Sequence, residues 1–338
     1  MAAAPAPSRH EIAAWLLAGV ALVGVLYAHL LPALLAGLLV YELTHRLAAR
    51  LPGGARSTER RKMLAVALLA AVVVLGVSAA LVGALAFFRS DAGSLTVLLG
   101  KMAEIIEGAR DKLPGWLADK LPASTGEMRE AIGHWLREHA AELQTLGKEA
   151  GHAFAHILIG LVIGAMAALR EACAADDRAP LAAALSERIR RFANAFRSIV
   201  FAQVKISAVN TAFTGIYLVA ALPLLGIHLP LTKTLVAVTF VAGLIPVLGN
   251  LISNTIIVVV SLSHSLEAAV ASLVFLVVIH KLEYFLNARI VGAGIKAKAW
   301  ELLLAMLAME SLFGVPGVVA APIYYAYLKG ELADRGLV

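Results

Sequence analysis

The 338-residue chain is 60% hydrophobic and only 15% charged, with a mean hydropathy of +0.83, which excludes a soluble globular protein and indicates a multipass membrane protein. Its net charge of +6 comes mostly from Arg and Lys that border apolar runs, so we interpret it as membrane topology and contact with anionic lipids. We therefore expect membrane lipids as partners and no nucleic acid. The single cysteine, Cys173, cannot form an internal disulfide, and nothing favours redox chemistry.

Residues 1–62 are predicted to form a helical hairpin followed by a cytoplasmic loop. An apolar run over residues 12–31 is long enough to span a bilayer, and Pro32 opens a second run at once. Residues 42–62 then hold six basic side chains against two acidic ones. By the positive-inside rule this loop lies in the cytoplasm, and the N-terminus lies there too.

A third span is predicted within residues 63–90, and an amphipathic segment outside the cytoplasm over residues 91–150. In this polar segment apolar residues recur at helical spacing, which indicates two amphipathic helices separated by a Pro-Gly turn. Such helices lie on the bilayer surface, cap a pore or pack against a neighbouring subunit. Because one chain's short loops do not cover their apolar faces, we expect a homo-oligomer.

Residues 151–199 are predicted to hold a fourth span and a cytoplasmic amphipathic helix. Gly160 and Gly164 form a small-xxx-small pattern, which lets two helices approach closely either within or between subunits. After the span, a helix starting at Pro180 carries an apolar stripe opposite several arginines. We expect this helix to lie along the inner membrane face.

Residues 200–338 are predicted to be the transport core, and its first span is unusually polar. Gln203, Ser207, Asn210 and Thr214 step by four, three and four residues, so they share one helical face, and Lys205 lies among them. A polar face on a membrane helix meets protein or water rather than lipid. These side chains therefore either hydrogen-bond between helices or line a solute path.

Two later apolar runs carry helix-breaking residues. Residues 231–262 exceed one span and are interrupted by Pro246, Gly249 and Asn250, which indicates a discontinuous helix that either re-enters or crosses fully. A last span is predicted over residues 302–327, and it contains Gly314, Pro316 and Gly317. The total is an all-α fold with about eight spans, which places both termini inside.

Four further side chains complete the candidate transport path or gate. Glu283 and Asn287 share a face if their stretch is helical, with Arg289 nearby, and this group is either a structural clamp or a gate. Glu310 lies inside the last predicted span, where a carboxyl is costly, so we expect it to be a protonatable group on the path or to face a protein-lined cavity.

No nucleotide-binding, metal-binding or hydrolase motif is present in the sequence. His152 and His156 are four residues apart, but a metal site needs further ligands and none stands nearby. The phosphate-binding loop and the serine-hydrolase elbow are also missing. We therefore predict neither an enzyme nor a cofactor.

Several motifs after residue 200 carry a family resemblance. A Pro-Gly break at 245–249, a Leu-Glu pair ending at Glu283 before Asn287-Ala-Arg289-Ile, and the terminal Phe313-Gly-Val-Pro-Gly-Val-Val-Ala-Ala-Pro322 resemble the autoinducer-2 exporter family of bacterial membrane proteins. The resemblance implies a multipass protein of the cytoplasmic membrane with about eight helices. It also implies export of autoinducer-2, as in some members, or sodium/proton antiport, as in others. Ala288, Ala299-Trp300 and Met309-Glu310 depart from the family pattern.

Three functions follow as hypotheses. The first is a secondary transporter that exports a small polar solute. Its transport is coupled to protons or sodium if the ionisable residues serve transport. The second is a cation/proton antiporter or an oligomeric channel. The third is a membrane scaffold without transport, although a scaffold has no use for the polar face at Gln203–Thr214 or for Glu310.

Overall fold

The protein is described from a computed structural model, which covers residues 7–51, 58–89, 126–127, 130, 134, 137–171, 179–245, 248–262, 264–295 and 298–337. All regular secondary structure within these residues is helical, which confirms the predicted all-α class. The long helices are α1 (Arg9–Tyr27), α2 (Leu31–Arg50), α3 (Thr58–Arg89), α4 (Ala140–Glu171), α5 (Pro180–Ile216), α6 (Thr232–Gly243), α7 (Leu248–Leu262), α8 (Leu266–Ile295) and α9 (Ala299–Asp334).

Four helices among the described residues are long and apolar enough to cross a bilayer. They are Arg9–Tyr27, Ala140–Arg170, Pro180–Leu224 and Trp300–Asp334. The helices of the broken run are shorter and apolar, with 12 residues in α6 and 15 in α7. The predicted total of about eight spans stays a prediction, and most of the amphipathic segment 91–150 lies outside the described residues.

The first two helices both begin with residues that favour a helix start. The Ser8 hydroxyl accepts from the Glu11 backbone N–H and the Glu11 carboxylate accepts from the Ser8 N–H, so both polar groups at the start of α1 are satisfied. Pro32 lies in the first turn of α2, where its missing N–H costs nothing. Three residues therefore suffice to join the two helices.

The chain forms two compact units. Unit 1 contains Met1–Ser78, Leu146–Val200 and Val291–Val338, and unit 2 contains Ala79–Thr145 and Phe201–Ile290. The segment boundaries predicted from the sequence stay predictions. The amphipathic helix predicted along the membrane face is continuous with the polar span in one helix of 37 residues, α5.

The core of unit 1 is built where the first half of α5 meets the end of α9. Phe192, Phe196 and Ile199 pack against Ile323 and Ala326. Removing such side chains from water or lipid contact and packing them closely is the main source of a helix–helix contact's stability.

Helices α2 and α4 touch through their backbones in unit 1. A Cβ atom at Gly160 would lie 2.1 Å from the Ala33 carbonyl oxygen, and a Cβ at Gly164 would lie 2.1 Å from that of Gly37. Ala33 and Gly37 thus form a second small-xxx-small pattern opposite the first. The glycine pattern that the sequence predicts to allow close approach is used within one chain.

Helix α9 folds back on itself, so residues 302–327 do not form one straight helix, and whether they cross the bilayer once stays a prediction. The Glu301 carboxylate accepts hydrogen bonds from Tyr325 Oη and from Lys329 Nζ, both at 2.5 Å. In a straight helix Glu301 and Lys329 would be about 42 Å apart, at 1.5 Å per residue. The reversal occurs at Gly314, whose φ of 62° and ψ of −146° are non-helical.

The broken run of unit 2 is also a helical hairpin. Helices α6 and α7 pack against each other across the short connection after Gly243. A Cβ at Gly249 would lie 1.8 Å from the Ala242 carbonyl oxygen, so only glycine lets the two backbones meet there. The two helices are separate elements, and at about 18 and 22 Å each is shorter than a hydrocarbon core of about 30 Å.

Candidate functional site

The polar face of α5 packs against the hairpin of α6 and α7 in unit 2. Its six side chains begin at Gln203 and continue into the π-helical turn that follows α5, and we call this row the polar seam: Gln203, Ser207, Asn210, Thr211, Thr214 and Tyr217. Ser207, Asn210 and Thr214 are buried, as predicted for a face that meets protein rather than lipid.

The first two members of the seam satisfy the end of α6. The Gln203 Nε2 donates to the Gly243 carbonyl oxygen at 2.7 Å, and the Ser207 hydroxyl donates to the Phe240 carbonyl oxygen at 2.7 Å. The last carbonyls of a helix have no partner within it, and inside a bilayer they find no water. These two side chains therefore satisfy carbonyl oxygens at the end of α6 without water.

The middle of the seam is an amide pair. The Asn210 Nδ2 donates to the Asn250 Oδ1 at 3.0 Å, and both residues are buried. Asn250 lies in the first turn of α7, directly after Gly249. The pair thus joins α5 to the start of the second helix of the hairpin.

Three buried oxygen atoms follow in the same turn of α5, and they have no hydrogen-bond partner among the described residues. They are Asn210 Oδ1, Thr211 Oγ1 and Thr214 Oγ1. Helical threonines commonly donate to a carbonyl one turn back, as Thr239 does to Leu235. Leaving each buried polar atom unpaired costs about 1–3 kcal/mol, so a polar group that reached these atoms would be stabilised by hydrogen bonds to them.

The far end of the seam is a chain of hydroxyls. Tyr217 Oη lies 3.0 Å from Ser272 Oγ, which lies 2.7 Å from Ser261 Oγ, and all three residues are buried. The Tyr217 ring also stacks on Phe275 with centroids 3.9 Å apart. Tyr217 begins a π-helical turn, a rare element that is frequent at functional sites.

From Gln203 to Tyr217 the seam covers fifteen residues, or about 21 Å of helix axis. Its side chains are all uncharged at neutral pH. An arrangement of amides and hydroxyls can exchange hydrogen bonds with a small polar solute.

A family model for AI-2E family transporters matches residues 11–333, nearly the whole chain. The chain belongs to the AI-2E transporter family. This AI-2E protein is therefore a membrane transporter, and the resemblance drawn from its C-terminal motifs is confirmed. Comparison with curated proteins gives no significant match, and comparison with solved structures gives none either.

The structure brings part of the predicted transport path of this AI-2E protein together. Gln203, Asn210, Thr214 and Asn250 meet in the seam, whereas Lys205 is exposed on another side of α5. Pro246 lies outside the described residues. Whether the group serves transport stays a prediction.

The predicted clamp or gate lies on α8. Glu283, Asn287 and Arg289 belong to its helical stretch, so the condition for Glu283 and Asn287 to share a face is met. Their side chains are outside the described part of the chain. The choice between clamp and gate therefore stays open.

Glu310 lies one turn before the reversal at Gly314 rather than within a straight span. It is exposed, on the same helical face as Leu303 and Leu307, which are 56% and 64% exposed. In the bilayer this face meets lipid or another protein. Its predicted role in proton transfer stays a prediction.

Residues 314–317, the second predicted helix break, lie at the reversal of α9. Gly314 supplies the positive φ, Pro316 follows in the second half of α9, and a Cβ at Gly317 would lie 2.0 Å from the Met309 carbonyl oxygen. Gly317 therefore lets the two backbones of this hairpin approach each other, as Gly249 does in the hairpin of α6 and α7.

Sequence reasoning missed a buried charge cluster in unit 1. Arg188 forms an ion pair with Glu331, and both side chains are buried. Trp15 Nε1 donates to the same carboxylate at 3.3 Å, and the guanidinium carbons of Arg188 and Arg335 lie 5.6 and 4.9 Å from the Trp15 ring centroid. In the sequence Arg188 is one of several arginines in a segment predicted to be cytoplasmic, and no local pattern distinguishes it from the others.

Proposed function

We propose that this AI-2E family transporter is a secondary transporter that exports a small polar solute across the bacterial cytoplasmic membrane, with the polar seam as part of the solute path. The observation that carries the proposal is the set of unpaired oxygens at Asn210, Thr211 and Thr214. A bound solute that donates or accepts there offsets their desolvation cost.

The uncharged character of the seam favours a neutral solute over an ion. A charge moved into a low-dielectric core needs a compensating charge, and the seam has amides and hydroxyls only. The family resemblance makes autoinducer-2 the first solute to test. Proton or sodium coupling is part of the proposal and would reside outside the seam.

Flux into proteoliposomes tests the proposal with the variant Thr214→Val. Valine keeps the shape of threonine and removes a hydroxyl that has no partner among the described residues, so folding should be unaffected or slightly more stable. Loss of one solute hydrogen bond of about 1.4 kcal/mol should raise the KM for the transported solute about tenfold.

Thr255→Val is the matched control, because the exposed Thr255 hydroxyl bonds only to the Leu251 carbonyl at 2.7 Å. It should leave KM unchanged. An unchanged KM in Thr214→Val and Thr211→Val would remove the seam from the path. Sodium–proton exchange without any organic solute would favour the cation/proton antiporter, and no flux of any solute or cation would favour the scaffold.

Self-association is also proposed. Its basis is the apolar faces predicted for residues 91–150. The native mass in detergent should be a multiple of 35.5 kDa. An active particle with the mass of one chain would contradict it.

A further inference from the structure

Unit 1 contains an apolar groove between α2, α4 and the start of α5. Its cavity volume is about 320 Å³, and its wall is almost entirely carbon, from Leu30, Gly37 and Tyr41 on one side to Gly164, Ala167 and Ile189 on the other. The groove exists because small residues bring α2 and α4 into backbone contact, which leaves no side chains to fill the space beside that contact.

The groove has the length of one bilayer leaflet. Its wall extends from Leu30, directly before α2, to Tyr41 on α2, which is twelve residues or about 16 Å of helix axis. Half of a hydrocarbon core of about 30 Å is about 15 Å. An object that fills the groove therefore extends from near the bilayer centre to one interface.

The groove is narrow and suits a single hydrocarbon chain better than a whole helix. Dividing the volume of 320 Å³ by a length of about 16 Å gives a mean cross-sectional area of about 20 Å², which matches a single extended hydrocarbon chain. A helix about 10 Å wide and equally long occupies on the order of 1,200 Å³. Since apolar cavities stay dry, water and polar solutes are also poor occupants.

Basic side chains lie at the Tyr41 end. Arg170 is exposed and follows Ala167 by three residues, so it lies on the same side of α4 one turn beyond the groove wall. Arg190 follows Ile189, is 67% exposed and bonds to Glu187. The positive-inside rule assigns this end to the cytoplasm, and tyrosine is typical of the membrane interface.

We propose that this groove binds one anionic phospholipid of the inner leaflet, with an acyl chain along α2 and α4 and the phosphate group near Arg170 and Arg190. Basic pockets between membrane helices on the cytoplasmic side recognise anionic headgroups in this way. The lipid holds the α2–α4 contact closed from the side that the protein leaves open. The site is independent of the polar seam.

Native mass spectrometry of the purified chain, titrated with phosphatidylglycerol or phosphatidylcholine, tests the site. Ala167→Phe places a ring in the groove and should lower retention of both lipids at least tenfold. Met166→Phe is the control, because Met166 is 63% exposed and does not line the groove. The double variant Arg170→Gln/Arg190→Gln should keep phosphatidylcholine binding and lose the preference for phosphatidylglycerol.

Helical circular dichroism and the thermal midpoint of each variant show that it is folded. Equal lipid retention in wild type and Ala167→Phe would overturn the groove as the lipid site. An unchanged phosphatidylglycerol preference in the double arginine variant would overturn the headgroup position. A dimer that Ala167→Phe dissociates, with lipid retention unchanged, would assign the groove to a second copy instead.

Discussion

The reversal of α9 depends on one backbone conformation, and Gly314→Ala tests it. The φ of 62° and ψ of −146° at Gly314 fall in a region that side-chain-bearing residues avoid, because the Cβ atom collides with the backbone. Alanine is a good helix former. The substitution therefore opposes the reversal and favours continuation of the helix.

The expected loss of stability depends on whether the variant keeps the reversed conformation or straightens the helix. Holding alanine at these dihedrals costs about 1–3 kcal/mol. Escape from the strain by straightening is not available, because it would move Glu301 and Lys329 from 2.5 Å to about 42 Å apart and break their ion pair. We expect the free energy of unfolding to fall by about 1–3 kcal/mol.

Gly330→Ala is the matched control on the same helix. Gly330 is exposed and helical, and a Cβ there meets nothing within 4 Å. This variant should gain up to about 1 kcal/mol, since glycine is a poorer helix former than alanine. SDS titration of the protein in detergent micelles, followed by helical circular dichroism, measures both changes.

A loss of stability in Gly314→Ala together with a gain in Gly330→Ala would support the reversal of α9. Equal gains in both variants would refute it, because an ordinary helical glycine at 314 would respond as Gly330 does. Cysteines at Glu301 and Lys329, in a chain with Cys173 replaced by serine, provide the distance directly. A short bifunctional reagent should join them in the wild-type background, and failure to join them would indicate a straight helix.

Three further predictions use the same kind of comparison. Gly164→Ala should lose about 1–3 kcal/mol in the same titration because its Cβ meets a backbone carbonyl, whereas Gly151→Ala, which meets nothing within 4 Å, should lose none. Glu331→Gln should lose about 3–5 kcal/mol because it leaves a buried guanidinium without its counter-charge, against at most about 1 kcal/mol for the more exposed Glu187→Gln. If Glu310 carries protons, Glu310→Gln should abolish the pH dependence of flux while the protein still folds, and an unchanged profile would exclude it.

The helical class and the buried face of α5 were predictable because both depend on local periodicity. Asn210 and Thr214 recur at helical spacing inside an apolar run, and a polar stripe in a membrane helix must meet protein or water. Hydropathy and residue spacing within one stretch of chain are enough to predict the helix and its polar face. Tertiary contacts then only select what the face meets.

The reversal of α9 was not predictable for the same reason. Gly314 and Pro316 are compatible with a kinked span or a hairpin, and average hydropathy is equal for both. What distinguishes them is the contact of Glu301 with Tyr325 and Lys329, more than twenty residues away. A side-chain pattern has no marker for such a distant pairing.

The partners of the seam were missed because most of them carry no side-chain signal. Gln203 and Ser207 bond to backbone carbonyls of Gly243 and Phe240, which any residue could provide. Ser272 lies alone in an apolar stretch and becomes meaningful only through its contact with Tyr217. The hydrogen-bond acceptors in a membrane protein are therefore hard to predict from sequence, because many of them are backbone carbonyls.

The same physics that permits the hairpins limits which variants can separate transport from folding. Gly249 and Gly317 let each reversed pair of helices touch, while Gln203 and Ser207 satisfy carbonyls that the break in unit 2 exposes. A change at either of these two polar residues unpairs a buried carbonyl, so it damages the fold whatever its effect on flux. The hydroxyl of Thr214 has no hydrogen-bond partner among the described residues. A transport defect in Thr214→Val with folding intact would therefore measure contact with the solute.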